Sequence, residues 1–249
     1  MPRIDYAIYG LCERQGPDFW AEPLNALSSF AFLYITIRLL VYFEGLQILK
    51  HRRLWDIKAL LILVPCIGIA SFVFHTMPSH QNEKIDTLFI VTFILLYFTS
   101  ALVRIAQAGA FQAVICFTAY AGFTHIVVTQ FPDAFNNSIG YLSTMCALIV
   151  IAFYLNMKRR AAARDFLVAA LIGVMSLFFR SVDQVTCGDV PFGTHFMWHT
   201  LNAILIYILM KQLIRSVTRS SKRKIRKERQ RAAKLARIAE RTKEMGAGI

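Results

Sequence analysis

The chain has 249 residues, 56% of them hydrophobic and only 17% charged, with a mean hydropathy of +0.49. That apolar share exceeds what an ordinary soluble domain carries, and seven stretches of roughly 20 apolar residues joined by short connections leave no room for a separate soluble domain. The net charge of +13 lies mostly in the C-terminal tail, and with the rest of the chain embedded in a bilayer it does not read as a nucleic-acid surface.

In chain order, residues 1–22 hold Arg3, Asp5, Glu13, Arg14, Asp18 and Glu22 without a long apolar core, so no cleavable signal peptide is expected and the first span directs insertion. The predicted spans are approximately 24–44, 57–76, 87–106, 109–131, 138–157, 165–182 and 194–215. The fold class is therefore all-α: a polytopic membrane protein, a seven-transmembrane helix bundle over residues 1–215 followed by a basic tail over 216–249.

Charge sorts the connections. Lys50, Arg52, Arg53 and Lys58 lie between spans 1 and 2, Arg104 between spans 3 and 4, and Lys158, Arg159, Arg160 and Arg164 between spans 5 and 6, all on the side of the tail. The opposite side carries Glu83, Lys84, Asp86, Asp133, Asp183 and Asp189. The positive-inside rule predicts a cytoplasmic C-terminus and an N-terminus facing the exterior, periplasm or lumen. An even number of spans would spoil this alternation. From Lys211 onward the chain holds 14 of its 28 Lys and Arg residues, which reads either as attraction to anionic lipid headgroups or as a solvated topology anchor.

Of five cysteines, Cys66, Cys116 and Cys146 fall inside spans and pack as small apolar residues. Cys12 and Cys187 both fall on the predicted outer, oxidising side, where a bridge between them and a pair of unpaired thiols are the two readings.

Polar groups at membrane depth are candidates for function. His195 and His199 open span 7 at i, i+4, a spacing that puts both imidazoles on one helical face and can chelate a metal, although two such histidines also occur as hydrogen-bonded structural groups. Ser71 and His75 repeat the spacing at the outer end of span 2, and Asp86 follows at the predicted outer start of span 3. Topology thus puts Ser71, His75, Asp86, His195 and His199 at one depth. Three neutral imidazoles with an open fourth position form the catalytic zinc arrangement, which makes bound water acidic near neutral pH. Asp86 could orient or deprotonate that water, and Ser71 could donate to a developing oxyanion.

Ser71-x-x-x-His75, Asp86 and His195-x-x-x-His199, distributed over spans 2, 3 and 7, resemble the signature of the alkaline ceramidases and of the wider seven-helix superfamily that includes the adiponectin and progestin membrane receptors. The resemblance implies that His75, His195 and His199 ligate zinc, that Asp86 works on the water and that Ser71 steadies the oxyanion. The implied reaction is hydrolysis of a ceramide amide to a sphingoid base and a fatty acid. The run from Cys12 to Asn25 resembles the ceramidase branch, in which this region binds calcium. The resemblance implies Glu13 and Glu22 as calcium ligands, with backbone carbonyls near Leu11 and Gln15 as others. Gly10 stands where the family pattern has an aspartate, and the segment is two residues shorter than that pattern. As a local signal, Glu22-Pro-Leu-Asn also reads as a helix start.

Asp183 matches a family position beside Cys187, with Arg180 one turn earlier expected to pair with it or with a lipid phosphate. His80 and His125 match no motif. Two functions compete: a zinc-dependent amidase acting on ceramide or another N-acyl lipid, and a receptor-like or structural bundle held together by a metal. The retained Asp86 and Ser71 favour chemistry, since a structural zinc is more often closed by a fourth protein ligand. No obligate protein partner is implied. A transporter finds little support, with no paired broken helices and no internal repeat.

Overall fold

The structure is a computed structural model that describes residues 10–46 and 54–246. Arg3, Asp5, Lys50, Arg52 and Arg53 of the charge pattern lie outside the described residues. Among the described residues, seven helices are long and apolar enough to cross a membrane: α1 Pro23–Glu44, α2 Trp55–Thr76, α3 His80–Ala106, α4 Ala110–Gln130, α5 Gly140–Met157, α6 Ala162–Val182, and α7, which begins at His195. The molecule is a multi-pass membrane protein of all-helical class, and no strand occurs among the described residues.

Local chemistry explains where the helices begin. Pro23 occupies the first turn of α1, where its missing N–H is no loss, and the Glu13 carboxylate accepts from the free amides of Leu24 and Asn25 at 2.6 and 2.9 Å. Ser79 caps α3 by accepting from Asn82 N at 3.1 Å. That cap corrects the expected start of span 3. The first turns of α3, His80-Gln-Asn-Glu-Lys, are too polar for a hydropathy window yet are helical, so Asp86 sits in the second turn rather than at the helix start.

Packing follows a ring in which α1 lies between α2 and α7, α7 against α6, α6 against α5, α5 against α4, and α2 against α3. In lipid such packing relies on close approach of backbones, hence on small residues. A Cβ on Gly68 of α2 would meet Phe32 Cβ at 2.9 Å and Ser29 O at 3.0 Å. This close approach brings Ser71, one turn further along α2, up to α1. The last turn of α3, Leu102–Ala106, is a π-helix that meets α4, α5 and α7 and ends at Gln107 in a left-handed conformation, φ 62°.

The core includes Leu39, Ile57, Leu60, Leu155, Phe166, Leu213 and Ile214, all fully buried. α4 stands apart. Only 6% of its apolar window is buried within the protein, against 50% for α7, and Phe111, Val114 and Ile115 face outward. The α7 helix does not stop at the membrane edge: it runs from His195 to Gly246 without a break, 52 residues, and Val217, Thr218 and Ser221 remain buried beyond the expected end of the bundle.

Candidate functional site

Four helix ends meet at one end of the bundle: the start of α1, the end of α2, and the starts of α3 and α7. α1 contributes one face, formed by Glu22 just before it and by Asn25, Ser28 and Ser29 at helical spacing; Glu22, Asn25 and Ser29 are at most 2% exposed. α2 contributes Ser71 and His75, and α7 contributes His195 and His199, again all buried.

The three imidazoles converge. One ligand atom from each of His75, His195 and His199 lies within 4.8 Å of the others, and the ring centroids are 4.8 to 5.3 Å apart. Their partners dictate the tautomers. His75 Nδ1 lies 2.5 Å from the Glu22 carboxylate, which accepts, so Nδ1 carries the proton and Nε2 presents its lone pair. His199 Nδ1 lies 3.1 Å from the Asn25 carbonyl and 2.8 Å from Ser28 Oγ. Since the carbonyl can only accept, His199 Nε2 likewise carries a lone pair. These two Nε2 atoms are 3.2 Å apart.

Two lone pairs aimed at each other repel unless a cation or proton lies between them. Tetrahedral zinc bound to imidazole nitrogens at about 2.0–2.1 Å sets those nitrogens about 3.3 Å apart, so the spacing fits. His195 Nδ1 is buried without a hydrogen-bond partner, which also suits an imidazole that ligates. The donor set fits a metal held by three histidines, with a carboxylate and a carbonyl fixing ligand orientation from behind.

Ser71 Oγ lies 3.3 Å from His199 Nε2 and accepts from Ser29 Oγ at 3.2 Å. Ser71, Asp86 and His199 line the mouth of an apolar cavity that continues along Phe93, Tyr97, Met145 and Leu148, between α3, α5 and α7. Asp86 Oδ1 is buried with no partner. The structure therefore brings together the whole expected set on α2, α3 and α7. His80 and His125 are exposed and belong to no such cluster.

The glutamates are differently employed than expected. Both oxygens of Glu13 cap α1, as described, and burial pushes its carboxyl above the usual range despite those amide bonds. Glu22 bonds to the Arg14 guanidinium, to His75 Nδ1 and to Asn25 Nδ2 at 3.0 Å. Burial opposes its ionisation, but these bonds outweigh it and hold the carboxyl below the usual range. A calcium ion takes roughly six to eight oxygen ligands. Here both oxygens of Glu13 and both of Glu22 already accept from protein donors, so the calcium expectation does not fit the residues as arranged.

Cys12 and Cys187 form a disulfide with Cα atoms 5.2 Å apart. Asp183 reinforces it, though not by pairing with Arg180. Its carboxylate accepts from Cys12 N at 3.0 Å and from Thr194 N and His195 N at 2.6 and 2.9 Å, tying the N-terminal segment to the start of α7. Arg180 turns instead to Ser138 Oγ at 2.5 Å and to the Trp198 ring, 5.1 Å from its centroid. Sequence reasoning missed Arg14, Asn25, Ser28 and Ser29. The available signal was the i, i+3, i+4 run of polar groups opening an otherwise apolar span.

No curated protein and no solved structure matches the chain. The family model described as Ceramidase matches residues 11–238, a stretch that contains every residue of the site, and the chain belongs to the ceramidase family.

Proposed function

We propose that the protein hydrolyses the amide bond of ceramide or a related N-acyl sphingoid lipid, giving a sphingoid base and a fatty acid, with zinc held by His75, His195 and His199. Family membership implies a hydrolase of this kind. The observation that carries the finer reading is the convergence of three buried imidazoles, one of which, His199, lines the mouth of an apolar cavity together with Ser71 and Asp86.

When bound, zinc would acidify a water molecule and polarise the scissile carbonyl. The chain's own residues do the rest. Glu22 and the Asn25 carbonyl keep the His75 and His199 rings oriented with Nε2 forward. Asp86, whose Oδ1 no protein group engages, takes the proton from the attacking water and later passes it to the leaving amine. Ser71 Oγ–H donates to the carbonyl oxygen as negative charge builds on it. The cavity walls hold the acyl chain and exclude water.

The basic groups Arg104, Lys158, Arg160 and Arg164 lie at the opposite end of the helices from the histidines, which supports an outward-facing site, an outer N-terminus and a cytoplasmic C-terminus. The same rule supports contact of anionic headgroups with the tail residues nearest the bilayer.

Metal analysis of purified protein combined with product analysis on N-acyl lipids tests the proposal. We expect one zinc per chain and release of fatty acid from ceramide, lost on chelation and restored by zinc. Stoichiometric zinc with no hydrolysis of any N-acyl lipid would sink it and favour a receptor-like or structural metal site.

A further inference from the structure

The region that the family resemblance marks for calcium contains a cation of its own. The Arg14 side chain is fully buried. Its Nε pairs with Glu22 Oε1, its Nη1 donates to Gly16 O at 3.1 Å, and its Nη2 donates to His75 O at 2.6 Å. Every one of these partners is an oxygen. They come from three places: the segment before α1, the carboxylate at the entrance of α1, and the carbonyl at the end of α2. A positive centre ringed by oxygens from separate chain segments is the arrangement a calcium ion would otherwise provide.

We propose that the Arg14 guanidinium occupies the place of calcium in this chain, so that the protein neither binds nor requires that ion, and that Arg14 acts as a positioning residue for His75. The chemistry runs through Glu22. Its carboxylate accepts from His75 Nδ1 and so sets the direction of His75 Nε2, while Arg14 neutralises the carboxylate and grips the backbone of His75 itself. Arginine suits the position because its planar fork satisfies several oxygens at once and it stays charged when buried. Both oxygens of Glu13 are likewise engaged already, by the amides that open α1. Gly10, where the family pattern has an aspartate, removes one further oxygen donor from the segment.

The positioning role rests on the proposed reading of the histidines; the calcium statement does not, and two separate readouts keep them apart. Purified protein is titrated with calcium by calorimetry, and its Tm is measured with excess calcium and with a calcium-selective chelator. We expect no stoichiometric binding and the same Tm in both. Saturable calcium binding, or a Tm that falls on chelation, would overturn the proposal whatever the substrate is.

In the second arm, metal-free wild type, Arg14→Lys and Arg14→Ala are titrated with Co2+ and followed by its visible spectrum, counting only folded protein. Loss of a partner behind a metal ligand typically weakens metal binding about 10- to 100-fold. We expect that loss for Arg14→Ala and a smaller one for Arg14→Lys. Should Arg14→Ala fail to fold, Arg14→Lys still carries the test. An unchanged cobalt spectrum and affinity in the variants, with only Tm lowered, would reduce Arg14 to a structural residue and refute the positioning role.

Discussion

The two ends of the bundle differ in how completely their buried polar groups are satisfied. At the basic end, Asp56 accepts from Ser100 Oγ at 3.1 Å and from two nitrogens of Arg104 at 2.6 and 2.7 Å, and Arg160 donates to Ile105 O at 2.7 Å and Gln107 Oε1 at 2.5 Å. At the histidine end, Asp86 Oδ1 and His195 Nδ1 are buried without a partner. A buried polar group left unsatisfied is expensive, so a closed network reads as structure and an open one as a site whose remaining partners are not protein. The comparison separates residues that hold the fold from residues kept for chemistry.

The sharpest way to break it is at the histidines. Replacing His75, His195 or His199 by Ala should abolish hydrolysis together with zinc, because each removes one of the three proposed ligands. Asp86→Asn and Ser71→Ala should instead retain metal while turnover falls, by roughly 100- to 10,000-fold for an acid–base group and roughly 100- to 1000-fold for a single oxyanion donor. Zinc content and turnover measured on the same preparations decide it. Full activity in Asp86→Asn would remove that residue from the mechanism.

At the closed end the effect should move from turnover to stability. Asp56→Ala strands the Arg104 guanidinium, which is partly exposed, so the loss should be about 1–3 kcal/mol, seen as a lower Tm with unchanged turnover per folded molecule. Activity lost without any change in Tm would mean that the closed network also serves the site.

The smallest expected effect is that of the disulfide. Loop-entropy arguments for residues 175 apart give up to about 5 kcal/mol, but spans that stay inserted in the unfolded state already restrain the loop. Cys187→Ser should therefore cost no more than about 1–2 kcal/mol. A larger fall in Tm would show that the bridge anchors the segment carrying Glu13 and Arg14 more firmly than Asp183 does.

The spans and the common depth of His75, His195 and His199 were legible in the sequence, because they rest on spacing within a helix and on side of the membrane; the convergence of the histidines came from the family resemblance, and Cys12 and Cys187 read as either a bridge or two free thiols. What could not be read was adjacency. Glu22 reads as a calcium ligand until α1 is seen lying between α2 and α7, which puts its carboxylate behind His75. Arg180 and Asp183, one turn apart, read as a pair, yet each has a better partner on another helix. The start of α3 was missed because hydropathy marks where lipid begins and a capping serine marks where a helix begins, and here the two differ by nearly two turns.

The unbroken α7 has a reach that its charge count conceals. Its 52 residues, at about 1.5 Å each, extend some 78 Å, of which the hydrocarbon layer takes about 30 Å. Salt screens a surface charge within about 8 Å, which a helix leaving the bilayer crosses in little more than one turn. Arg215 and Arg219 fall within that distance, while Lys224, Arg226, Lys227, Arg229 and Arg231, all exposed, lie further along the helix. If the tail attracts anionic headgroups as proposed, the attraction should come from the few residues at its root rather than from the whole charge of the helix.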